Sequence, residues 1–78
     1  MYLYDLHQHT KDGSLCGIDD PVSIVRALAR DGWTGCVLTD HFIHGNTRVR
    51  RNMPWADIVR AYERSYEAAY AEGQRLGV

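Results

Sequence analysis

The sequence predicts a small α/β unit of order β-α-β-α with its two strands parallel. Three observations carry that reading. Two short apolar runs, residues 2–6 and 34–39, each end in a polar, histidine-bearing segment. Each run is followed by a loop and then by apolar residues at helical spacing. A strand, a helix and a second strand in that order form a parallel pair with a right-handed crossover.

The first run, Tyr2-Leu3-Tyr4-Asp5-Leu6, is rich in aromatic and apolar residues and reads as a strand. Residues 11–20 contain Gly13, Ser14, Gly17 and Asp19 and read as a loop. Asp20-Pro21 then marks a helix start. Aspartate can cap the free N–H groups, and proline at the first helical position gives up an N–H that has no partner there. Val22, Val25, Leu28 and Ala29 fall on one stripe, and Gly32 is the expected stop. Thr34-Gly35-Cys36-Val37-Leu38-Thr39 is continuously apolar at its centre, as in a parallel strand covered on both faces. Residues 41–53 form a second loop. Pro54 opens a second helix running to about Leu76, with Gly77 as its stop. Trp55, Ile58, Val59, Tyr62, Tyr66, Ala69 and Tyr70 form its apolar stripe, expected to pack in the core.

Composition bounds the function. The chain has 78 residues, 45% of them hydrophobic and 24% charged, with a net charge of −1. That excludes a disordered chain and gives no global attraction for nucleic acid or acidic lipid. Cys16 and Cys36 do not form a Cys-X-X-Cys pair and read as free thiols of a reducing compartment. No basic segment with a long apolar core follows Met1, and no apolar run approaches the roughly 20 residues that span a bilayer. The expected location is therefore the cytoplasm, with no membrane partner.

Asp5-Leu6-His7-Gln8-His9-Thr10 and Thr39-Asp40-His41 carry the chemistry. Residues two apart on a strand share a side, so His7 and His9 can converge on one metal ion. His41 follows the second strand, and loops after parallel strands build active sites. His41 is thus expected on the same rim. Asp5 shares the alternation with the histidines and could fix an imidazole tautomer through a hydrogen bond. Asp40 is expected to support the metal ligands and cap the loop. Asp12 and Cys16, in the loop after His9, are further candidate ligands. Arg48, Arg50 and Arg51 would lie on the same rim, where planar guanidinium groups suit phosphate oxygens, although a solvated loop is the plainer reading.

At these residues the chain resembles the polymerase-and-histidinol-phosphatase (PHP) family of metal-dependent phosphoesterases. The match covers Asp5-Leu6-His7-Gln8-His9-Thr10 and Val37-Leu38-Thr39-Asp40-His41, in the family's order and separated by a helix ending near Gly32. The resemblance implies a distorted (β/α)7 TIM-like barrel of which this chain is the opening β-α-β-α portion. It implies two or three divalent ions, zinc, manganese or iron, with His7 and His9 on one ion and His41 on another. It implies hydrolysis of a phosphomonoester or phosphodiester, in a phosphorylated small molecule or a nucleotide.

Two features depart from the family. Cys16 or a neighbour stands where many members place a further His or Asp ligand. The later motifs, including the bridging glutamate, have no counterpart here, so the chain alone is expected to be inactive or nearly so. The rival reading is a non-catalytic PHP-like module that binds metal weakly or completes its fold with a partner chain. Two parallel strands and two helices cannot cover both faces of a sheet, and the second strand leaves an unpaired edge. Self-association through that edge is the further expectation.

Overall fold

Helix α1, Pro21–Arg30, shows how the chain fixes its elements locally. Asp20 accepts the Ser23 N–H at 2.8 Å and the Ser23 hydroxyl at 2.9 Å, and these bonds hold its carboxyl below the ordinary value. Pro21 occupies the first turn. At the other end Gly32 adopts φ +79°, the left-handed region that glycine enters without a Cβ penalty. There the Gly32 N–H reaches the Ala29 carbonyl at 3.3 Å and the Trp33 N–H reaches Leu28 at 2.9 Å, closing a Schellman motif.

The computed structural model describes residues 2–42 and 44–78; Ile43, within the expected second loop, lies outside them. The order is β1 (Tyr4–Gln8), α1, β2 (Gly35–Leu38) and α2 (Trp55–Leu76). The strands are parallel neighbours and, among the described residues, form a two-stranded sheet. The protein is thus a small α/β unit. None of its described helices is long and apolar enough to cross a membrane.

Strand β1 lies two residues later than its composition suggested. Tyr4 pairs with Gly35 and Asp5 with Cys36, but Leu38 then pairs with Gln8, where a regular ladder would bring it to His7. Three steps along β1 therefore match two along β2, so β1 carries an extra residue. Such a bulge bends a strand and re-aims its side chains. Before the strand, Thr34 Oγ1 accepts the Leu3 N–H at 2.9 Å and the Leu3 carbonyl accepts the Thr34 N–H at 2.7 Å.

The core lies between the helices. Its buried apolar residues are Ile24, Val25 and Leu28 on α1 and Ile58 and Ala69 on α2, and the two helices are in contact. The buried line of α2 also includes Ser65, Glu72 and Gly73, so it is rotated away from the aromatic stripe. This corrects the sequence expectation: Trp55, Tyr66 and Tyr70 are exposed, and Tyr62 is half-buried. Of the small residues on that line, Ser65 lies against the loop after β1, its Oγ 3.1 Å from Thr10 Oγ1, and a Cβ at Gly73 would stand 4.0 Å from Val25 Cγ1 of α1, while Tyr62, Tyr66 and Tyr70 border a groove alongside β2. Val37 is likewise 49% exposed, so β2 is not covered on both faces by this chain.

Glu72 sits at the helix contact. Arg26 of α1 meets its Oε2 at 2.6 Å, and Arg75 of α2 meets its Oε1 at 2.6 Å. Hydrogen bonds from Arg75 first, then Arg26, hold the Glu72 carboxyl down at about 2.

Candidate metal centre

The loop after β1 and the loop after β2 are knitted together at the end of the sheet that bears the histidines. Leu15 N–H donates to the Asn46 carbonyl at 2.9 Å, and Arg48 N–H to the Gly13 carbonyl at 3.1 Å, around a bridge between Ser14 and Thr47. The chain folds back tightly at Gly17, where a Cβ would collide with the Thr10 carbonyl.

Asp40 is the hub of this closure. Its Oδ1 accepts the Thr10 N–H at 2.6 Å and the Ser14 hydroxyl at 2.9 Å, while Oδ2 accepts the Thr10 hydroxyl at 2.7 Å. Thr10 and Ser14 are fully buried. Thr10 Oγ1 also accepts the Gly13 N–H at 3.2 Å and lies 3.1 Å from Ser65 Oγ on α2. Of the roles expected for Asp40, loop capping is the one these bonds describe. Asp5 likewise spends a carboxylate oxygen on backbone, accepting the His7 N–H at 3.1 Å.

His41 is placed by the same closure. Its N–H donates to Ser14 Oγ at 2.9 Å, and its carbonyl accepts the Tyr62 hydroxyl at 2.8 Å. The backbone of one residue just after β2 is thus held by the first loop and by α2. The hold of Tyr62 and Ser14 on His41 is one that the motifs did not reveal. A tyrosine on an apolar stripe gives no sign that its hydroxyl will reach back to a loop.

The three histidines expected to be ligands come together. His7 and His9 have ring centroids 4.9 Å apart, and His9 and His41 4.4 Å. His9 is the middle ring. Its Nε2 lies 3.1 Å from His7 Nε2, and its Nδ1 lies 3.1 Å from Cys16 Sγ. Donor atoms of His9, Cys16 and His41 all fall within 4.8 Å of one another. His7, His9 and Cys16 border an open cleft with Gly17, Ile18 and Asp19. Donors spaced by roughly 3.4–3.6 Å suit a tetrahedral ion with ligand bonds of about 2.0–2.3 Å. The His9 Nδ1–Cys16 Sγ contact of 3.1 Å is a few tenths of an ångström short of that spacing.

Other expected site residues stand differently. Asp12 is exposed and is not in this donor cluster. Arg48 donates through Nε to the Lys11 carbonyl, and Arg51 lies 3.2 Å from His44 Nδ1. Arg50 is exposed on the same loop. Arg48 and Arg51 thus make loop contacts.

No protein-family model, curated protein or solved structure matches this chain.

Proposed function

We propose that the chain forms the opening portion of a PHP-type, metal-dependent phosphoesterase, with His7, His9 and His41 holding divalent metal. The observation that carries this reading is the meeting of the three imidazoles at the ends of two adjacent parallel strands. A bound divalent ion would activate water and polarise a phosphoryl oxygen. The chain's own residues orient the donors. Ser14 and Tyr62 fix the His41 backbone, and Asp40 ties the two loops that carry His9 and His41. The substrate would be a phosphorylated small molecule or a nucleotide, with Arg50 and its neighbours as candidate phosphate contacts.

In this reading β1 and β2 are the first strands of a distorted (β/α)7 barrel. Leu6 is 70% exposed and Val37 49%, and an apolar groove runs between β2 and the aromatic rings of α2. Further β/α units would cover these surfaces; a second copy of the chain is the alternative cover. The proposal includes a cytoplasmic location, where Cys16 and Cys36 persist as free thiols.

A specific observation favours the rival, a non-catalytic metal-binding module: the donor cluster among the described residues is His9, Cys16 and His41, with no carboxylate to bridge two ions. The test is metal content and phosphomonoester hydrolysis, measured for His9→Ala and the unaltered sequence within a complete β/α domain. Loss of both metal and hydrolysis, with the circular dichroism spectrum retained, supports the enzyme. Metal loss without any hydrolysis to lose supports the module. Unchanged metal content removes His9 as a ligand.

A further inference from the structure

Cys16 is the side chain at this site whose chemistry differs most from that of its neighbours. It is exposed, on the loop between β1 and α1. Backbone bonds on either side hold that loop: Gly17 N–H donates to the Ser14 carbonyl at 3.1 Å, and Leu15 N–H to the Asn46 carbonyl at 2.9 Å. The loop therefore delivers its sulfur to the histidines. Sγ stands 3.1 Å from His9 Nδ1, and His41 supplies a donor within the same 4.8 Å cluster.

We infer that His9, Cys16 and His41 form a mixed imidazole–thiolate centre that selects a borderline-soft ion, Zn²⁺ above all, over Mn²⁺ and Mg²⁺. The inference rests on the reading of His9 and His41 as metal-facing side chains and deepens it by naming the ion class. Zinc accepts two imidazoles and one thiolate as three of four tetrahedral ligands, leaving the fourth position open. Manganese and magnesium prefer carboxylate, carbonyl and water oxygen, and this donor cluster has none from a carboxylate. As the Sγ–metal bond forms, the thiol proton leaves to solvent.

The geometry also divides the work among the histidines. A neutral imidazole offers one lone pair. When His9 ligates through Nδ1, its Nε2 carries the proton and donates to His7 Nε2, 3.1 Å away. In the singly loaded chain His7 is thus the group that fixes the His9 tautomer. Cys36 is set apart from this centre. It pairs with Asp5 in the sheet, and burial with the nearby Asp5 charge pushes its thiol up, so it serves as the internal control.

The experiment loads the 78-residue chain with Co²⁺ and records its absorption spectrum, with Cys16→Ser and Cys36→Ser alongside. The expected result is visible ligand-field bands plus a near-ultraviolet sulfur-to-cobalt charge-transfer band. That band is lost in Cys16→Ser and kept in Cys36→Ser. Zinc then bleaches the spectrum at equimolar addition, whereas Mn²⁺ and Mg²⁺ in tenfold excess do not. A charge-transfer band that survives Cys16→Ser overturns the inference. Ligand-field bands without any charge-transfer band also overturn it, while leaving a histidine-based metal site standing. Absence of cobalt binding sinks both. Because Cys16→Ser could disturb the loop, alkylation of the unaltered chain supplies a second reading. Zinc should slow modification of Cys16, and an unchanged rate would count against ligation.

Discussion

At the scale of single residues, Asp40 decides whether the rim exists. Thr10 and Ser14 are fully buried, and their hydroxyls and the Thr10 N–H all end on the Asp40 carboxylate. Removing that acceptor leaves buried donors without partners, at a cost of about 1–3 kcal/mol for each group so stranded. Asp40→Ala should therefore lower stability by at least about 2 kcal/mol, visible as a fall in Tm by circular dichroism, with Asp40→Asn intermediate. A Tm within error of the unaltered chain would refute the hub role. The histidine pattern made the candidate ligands legible in the sequence, because spacing two apart and position after an apolar run are local features. The Asp40 closure was only partly legible. Its partners Thr10 and Ser14 lie 30 and 26 residues away, and nothing local in Thr39-Asp40-His41 specifies which donors will arrive.

At the scale of elements, the helices and β2 could be read from their ends, and β1 could not. Asp20-Pro21 and Gly32 act through bonds within a few residues, so α1 runs where its caps place it. The bulge in β1 depends on how β2 pairs with it, and composition carries no trace of that register. The buried face of α2 differs from the sequence expectation for a related reason. Large aromatic residues suggest a core face, but the buried line of α2 runs through Ile58, Ser65, Ala69, Glu72 and Gly73. The cap at Gly32 gives an element-scale prediction. With φ +79° and open space around a would-be Cβ, Gly32→Ala meets backbone strain without a steric clash. It should destabilise the chain by about 1 kcal/mol, and Gly32→Asn by less, since asparagine tolerates the left-handed region. Urea unfolding of the two variants checks this; equal stability of Gly32→Ala and the unaltered chain would mean that the Schellman closure does not limit α1.

At the scale of the whole molecule, the fold rests on the helix pair and the strand pair, with few buried apolar residues among those described. The described core is Ile24, Val25, Leu28, Ile58 and Ala69, a small set for a chain whose sheet leaves Leu6 and Val37 exposed. Below about 80 residues such a core rarely yields more than ~3–5 kcal/mol, so an ion network at its edge matters. Arg26, Glu72 and Arg75 form that network and join α1 to α2. The Glu72 carboxyl titrates near 4.5 when free and at about 2 in the folded chain. Its folded value is the lower one, so the unfolded chain takes up the proton first as pH falls. The contribution of Glu72 is fully present above its free value, declines as pH drops through that value towards about 2, and is gone below it. Unfolding followed by circular dichroism from neutral pH down to pH near 2 should show stability falling through this window. In Glu72→Gln the fall should be shallower, because the amide has no proton to take up. If Glu72→Gln retains the acid slope of the unaltered chain, the loss arises from other carboxylates and the helix–helix network does not govern acid stability.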